Sequence, residues 1–231
     1  IVSKSLQPQA TPGAPAEMNL QQWSVAPASA AMVAFGAFNV QGSNIVVNGY
    51  LFDAKNQQYP QILAKQYTDV ATADAARQTA HRFADEIIFR LDGGTPGIAE
   101  TKIYYVKQSG PTKEIWMMDY DGANQHQVTH LGTISMSPRI SPDNSRLAFS
   151  SLGRYGFQIR VYSMLLGRMV TFSDAGGTNL SPAWSPDGNS IAYSSSRTGD
   201  PEIWIADSSG HLARRITSFR GPDVSPVYNP K

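Results

Sequence analysis

The sequence predicts a small α/β domain over residues 1–92 followed by an all-β array over residues 93–231. Three observations predict it. A set of short motifs recurs every 44 residues through the second part and is missing from the first. A stretch of helical periodicity stands immediately before that repeat begins. Glycine and proline, 19 and 15 of the 231 residues, are too frequent for a helical bundle and suit a turn-rich β protein.

In the first part, residues 31–40, 44–53 and 61–70 read as three strands, the first two joined through Gln41-Gly42-Ser43. A helix is predicted over 73–91, with Thr72 as its N-cap and Gly93-Gly94 as its stop. Its apolar stripe Ala76, Ala80, Phe83, Ala84, Ile87, Ile88 and Leu91 has helical spacing, so this face is expected to pack on the sheet.

The repeat organises the rest. Ser137-Pro138 returns as Ser181-Pro182 and Ser225-Pro226, and Ser141-Pro142-Asp143-Asn144 returns as Ser185-Pro186-Asp187-Gly188 and more weakly as Asn229-Pro230-Lys231. Ile103-Tyr104-Tyr105 becomes Leu147-Ala148-Phe149 and then Ile191-Ala192-Tyr193. Ile115-Trp116-Met117 becomes Ile159-Arg160-Val161 and then Ile203-Trp204-Ile205. Each unit reads as four short antiparallel strands, an inner one ending in Ser-Pro-Asp, then 146–151, 157–163 and 168–172 with their counterparts one repeat on. Four-stranded units of about 40 to 45 residues are β-propeller blades. Gly93-Gly94 stands one repeat before Ser137, so the first blade is expected to be short of its inner strand.

Composition narrows the function. The net charge of +1 provides no electrostatic footprint for nucleic acid or an anionic membrane. Cysteine is absent, which removes disulfides, Cys-ligated zinc and thiol chemistry. The longest apolar run, residues 26–40, is broken by Ser29, Gly36 and Asn39 and falls short of a membrane span, so no membrane insertion is expected. His81, His126, His130 and His211 lack metal-ligand spacing. Asp119-Tyr120-Asp121-Gly122 reads as a turn, because Ala123 and His130 stand where a calcium loop needs oxygen ligands. No nucleophile elbow, Walker loop or dinucleotide fingerprint occurs, so no catalytic residue, cofactor or metal is assigned. Trp116 and Trp204 share a repeat column and read as blade packing.

The stretch from Ser185 to Asp207 resembles the WD40-like repeat of bacterial periplasmic propellers, which some oligopeptidase propellers also carry. The order of parts resembles one family more closely. Trp23, the strands at 31–36 and 46–52, the helix segment His81-Arg82-Phe83-Ala84-Asp85-Glu86-Ile87, Thr101 to Val106, and Asp119-Tyr120-Asp121-Gly122-Ala123-Asn124-Gln125 are together similar to the TolB family.

That resemblance implies a partial six-bladed propeller, with three blades and the start of a fourth over 93–231, behind an incomplete α/β domain. The chain then reads as an internal piece of a longer protein. It further implies a soluble periplasmic, non-enzymatic scaffold of the Tol-Pal cell-envelope system that supports outer-membrane integrity and cell division. The propeller would bind the peptidoglycan-associated lipoprotein Pal, and an N-terminal segment absent from this chain would contact TolA. By repeat position, the Pal-facing residues would be Ser135, Met136 and Ser137, then Thr178, Asn179, Leu180 and Ser181, then Val224 and Ser225. Two other readings stay open on the residues alone: the propeller of a prolyl-oligopeptidase-like peptidase, and a glycan-reading propeller. Three blades cannot close a ring, so self-association of the incomplete propeller is also expected.

Overall fold

The computed structural model describes residues 1–9, 12–173 and 176–229, and resolves into two compact units, Ile1–Thr101 and Lys102–Lys231. Of the weak third Ser-Pro-Asp counterpart, Pro230 and Lys231 lie outside the described residues.

In the first unit a short helix α1 (Leu20–Ser24) precedes strands β1 (Met32–Gln41), β2 (Asn44–Asp53) and β3 (Gln61–Val70), then helix α2 (Ala73–Leu91). The strands form one antiparallel sheet in the order β1-β2-β3. Alternation sends Val33, Phe35 and Phe52 to one face, where they bury against Trp23, Ala30 and Ala54. The other face receives α2. A Cβ on Gly49 would stand 2.7 Å from the Phe83 ring, so the bare glycine is what lets the helix approach β2. The Thr72 hydroxyl accepts the Ala75 N–H at 3.2 Å, and the chain leaves the helix through Gly93 and Gly94 at φ 60° and 94°.

The helix face differs from the expected stripe. Ala75 and Thr79 are its buried residues, while Ala80, Ala84, Ile88 and Leu91 are exposed. The reason lies in the sheet. Phe83 packs at Gly49 of β2, and Glu86 and Arg82 on the same side of α2 pair with Lys65 and Asp69 of β3, so the sheet meets the helix on its Phe83 side and the Ile88 side faces away.

The described residues of the second unit form three antiparallel sheets. The first is β4 (Lys102–Ser109), β5 (Thr112–Asp119) and β6 (His126–Gln127). The second is β7 (Ser135–Ile140), β8 (Arg146–Gly153), β9 (Gly156–Ser163) and β10 (Arg168–Val170). The third is β11 (Asn179–Trp184), β12 (Ser190–Ser195), β13 (Glu202–Asp207) and β14 (Arg214–Arg215). Their ladders are in step: Lys102 pairs with Asp119, Arg146 with Ser163 and Ser190 with Asp207, each residue 44 positions beyond its counterpart. Among the described residues the first sheet has no strand ahead of β4, in keeping with the missing Ser-Pro there.

Packing follows the pleat. Leu147 and Phe149 of β8 point to the first sheet and bury with Ile115 and Val128. Ala148 points the opposite way and buries with Ile159 and Val161 against Trp184, Ile191, Tyr193 and Ala206 of the third sheet. Each large side chain so enclosed contributes about 1.5–3 kcal/mol. Face-on-face burial of that kind holds the sheets in sequence order.

Candidate functional site

The residues expected to face a partner lie at the start of the first strand of each repeat. Ser135, Met136 and Ser137 belong to β7, Asn179, Leu180 and Ser181 to β11, Thr178 directly precedes β11, and Val224 and Ser225 sit in an extended segment that repeats the same sequence. The backbone does something unusual here. Ser137, Ser181 and Ser225 adopt φ 55°, 54° and 56°, a left-handed conformation that L residues rarely occupy. In β7 and β11 this coincides with a β-bulge, between Met136 and Arg139 and between Leu180 and Ala183. A bulge at a strand start re-aims the side chains beside it. The proline that follows offers no N–H to the ladder, so the bulge forfeits no donor.

Burial sorts the nine positions. Ser135 and Asn179 are 0% and 1% exposed, each directly opposite a serine of the next strand, Ser151 and Ser195. Met136, Ser137, Thr178, Leu180 and Ser181 are half-buried, and Val224 and Ser225 are exposed. Neighbouring sheets are stitched together at this level. The Ser181 N–H donates to the Ser150 hydroxyl at 3.0 Å, and the Ser194 hydroxyl donates to the Asp223 carbonyl at 3.0 Å.

The opposite ends of these strands converge on a cleft of about 340 Å³ that sequence reasoning missed. Arg139, Ile140, Trp184, Val227 and Tyr228 line it, so all three first-strand segments contribute. The Trp184 indole donates to the Arg139 carbonyl at 3.0 Å, and the Arg146 guanidinium lies 4.7 Å from the Trp184 ring centroid. Burial raises the pKa of the Tyr228 phenol. The signal was present in the columns just after Ser-Pro, which hold Arg139, Ala183 and Val227, but nothing local shows that those columns meet.

The Ser-Pro-Asp turns at this end are locked electrostatically. The Ser141 hydroxyl donates to Asp143 and accepts the Arg146 N–H, and Ser185 does the same with Asp187 and Ser190. Hydrogen bonds from Ser141 and Ser145 hold the Asp143 carboxyl well below the usual carboxylate range, and the Ser185 hydroxyl and the Asn189 backbone lower Asp187. These hydroxyls are consumed in shaping turns. At the Asp119 turn, the carboxylate takes the Lys102 ammonium at 2.6 Å and the Asn124 amide at 3.1 Å, which closes the hairpin from β5 towards β6. Among the described residues no group of three or more His, Asp or Glu side chains could hold a metal ion, and no helix is long and apolar enough to cross a membrane.

Antiparallel sheets of matching register, stacked face on face with a common bulge at each first strand, define the blades of a β-propeller. The match to known proteins agrees with this. Residues 90–231 fit the model of the TolB beta propeller domain, and the chain belongs to that family. It is 31% identical over 214 residues to a TolB homolog of Chlorobium luteolum, a match covering 85% of this chain and 46% of the relative. It is 31% identical over 186 residues to the Tol-Pal system protein TolB of Desulfosudis oleivorans, covering 80% and 41%. The crystal structure of TolB from Acinetobacter baumannii superposes with a TM-score of 0.82 at 26% identity, over 95% of this chain and 54% of that one. The chain thus spans less than half the length of these curated relatives.

Proposed function

We propose that this chain is part of a periplasmic, non-enzymatic component of a Tol-Pal cell-envelope system, and that its propeller binds the peptidoglycan-associated lipoprotein Pal at the first-strand starts. One observation carries the reading: the same left-handed serine recurs at Ser137, Ser181 and Ser225, so a single geometry presents Met136, Leu180 and Val224 once per repeat. Regular presentation of apolar anchors, Met136 and Leu180 half-buried and Val224 exposed, among small hydroxyls suits protein recognition, where a few such anchors dominate affinity. The contact set narrows to the positions with exposed surface, Met136, Ser137, Thr178, Leu180, Ser181, Val224 and Ser225; buried Ser135 and Asn179 support them from beneath. Relatives named as Tol-Pal system proteins support the assignment of the system.

Roles in outer-membrane integrity and cell division belong to the same reading. The test is calorimetric titration of the chain with the soluble domain of Pal from the same organism. Saturable binding is expected. Absence of heat and of co-sedimentation with folded protein would overturn the reading.

A further inference from the structure

At the end of the second unit where the first strands begin, one hairpin differs from its counterparts. Ser151 pairs with Gln158 as Ser195 pairs with Glu202, but β8 and β9 go on for two further pairs, Leu152 with Phe157 and Gly153 with Gly156. That extra length carries the tip about 7 Å past the end of the β12–β13 ladder. β4 and β5 reach as far, with Ser109 opposite Thr112, yet their tip is Gly110-Pro111. The tip of β8 and β9 is Arg154-Tyr155, and Gly199 stands in the Tyr155 column one repeat on. A repeat kept in step by its strands departs from itself here, at a turn whose side chains the fold does not use.

The tip is bare although its sheet is covered on both faces, Leu147 and Phe149 burying against the first sheet and Ala148 against the third. Tyr155 is 82% exposed. The exposed Arg154 guanidinium lies 5.5 Å from the Tyr155 ring centroid, and among the described residues it joins no ion pair. The base of the hairpin is held between two of the segments assigned to the partner. On one side the Leu152 N–H donates to the Ile134 carbonyl at 2.9 Å, and the Thr133 hydroxyl donates to the Leu152 carbonyl at 3.0 Å. On the other, a Cβ on Gly156 would stand 2.8 Å from the Thr178 hydroxyl oxygen, so the bare glycine is what lets the hairpin reach Thr178. Residues 135–137 and 178–181 therefore flank the tip.

Resting on the Pal-binding reading above, we propose that Arg154-Tyr155 is a further anchor of that contact and sets its specificity: the guanidinium takes a carboxylate of Pal, and the phenol ring covers the apolar surface beside it. Tyrosine and arginine are side chains on which binding energy concentrates, and residues 136–137, 178–181 and 224–225 supply neither. The tip is shaped before binding. Gly153 and Gly156 pair across the hairpin and close it over Arg154 and Tyr155, and a tyrosine has few side-chain torsions to fix, so little freedom is lost on contact. An exposed guanidinium attracts a partner carboxylate and repels a partner cation, which acts on association rate and on the choice of partner more than on affinity. Tyr155 holds, and Arg154 selects.

Calorimetric and stopped-flow titration of the full 231-residue chain with the soluble domain of Pal tests both roles. Tyr155→Ala is expected to raise the dissociation constant about tenfold or more, and Tyr155→Phe to stay within about twofold of the unmodified chain. Arg154→Glu is expected to slow association about tenfold, by a factor that shrinks as salt is raised, with little change in the dissociation rate. Leu165→Ala, an equally bare apolar side chain in the turn between β9 and β10 at the other end of the same sheet, is expected to change neither. All four substitutions lie in exposed turns, so thermal melting should be unchanged and reports folding separately. Unaltered binding by Tyr155→Ala and Arg154→Glu, in a chain whose affinity Leu180→Asp weakens, would overturn the proposal and leave the reading it rests on standing. An equal loss with Leu165→Ala, or a loss with Arg154→Glu that salt does not diminish, would overturn it too. A folded unmodified chain that does not bind Pal would overturn both.

Discussion

The backbone N–H of Ser181 donates to the side chain of Ser150 at 3.0 Å, so the first strand of the third sheet is bonded to the second strand of the sheet before it. Ser150 is fully buried, and its hydroxyl is the partner that Ser181 finds there. Blade packing is mostly apolar and non-directional; this bond adds direction, fixing the height at which one first strand meets the neighbouring sheet.

Replacing Ser150 with Ala leaves a sheltered N–H unpaired and should cost about 1–3 kcal/mol. Urea denaturation followed by tryptophan fluorescence checks this. Ser150→Thr, which keeps the hydroxyl but adds a methyl to a fully buried site, should also destabilise the chain; Ser209→Ala, at an exposed turn, should have the smallest effect of the three.

In the first unit the decisive contact is between Gly49 and Phe83. Gly49→Ala places a methyl 2.7 Å from the ring, and because β2 cannot retreat within its ladder, α2 must shift. The expected loss is about 1–3 kcal/mol. Gly49→Ala combined with Phe83→Leu should recover part of it, and chemical denaturation of both variants reads the difference.

Acid stability follows from the Asp143 turn. Its carboxyl has a folded pKa depressed by Ser141 and Ser145, so it binds a proton more weakly when folded than when unfolded. A depressed carboxylate contributes stability that is complete above the unfolded value of about 3.9 and is lost as pH falls through the folded value. Asp187 acts in the same direction. Thermal unfolding should thus be insensitive to Asp143→Asn near the bottom of the acid range and penalised by it at neutral pH. A melting difference of the same size at both ends would show that the turn is held by something other than the charge.

For partner binding, Leu180→Asp and Met136→Asp should weaken the complex with Pal by about 2 kcal/mol or more, since each would bury an unpaired carboxylate at the contact. Arg168→Asp, at the exposed position of β10, should change it little. Calorimetry with the same Pal preparation makes the comparison, and equal affinities for Leu180→Asp and the unmodified chain would place the contact elsewhere.

What the sequence alone determined was whatever depends on neighbours along the chain. The span of α2 and its Thr72 cap, the strands β2 and β3 to the residue, and the in-step ladders of the second unit were all legible, because helix caps, turns and strand alternation are local and a repeat reports its own register. The tertiary structure decided everything that needs two distant segments to meet. The sheet meets α2 on the side that carries Phe83 and the residues paired with Lys65 and Asp69, and the Ile88 side faces outward, against its apolar periodicity. Burial separated Ser135 and Asn179 from Met136 and Leu180, although all four share one motif, because the pleat points alternate residues in opposite directions and the bulge resets that alternation at Ser137 and Ser181. The cleft joining Arg139, Trp184 and Tyr228 exists only because three first strands, separated in sequence, are drawn side by side by the apolar faces packed behind them.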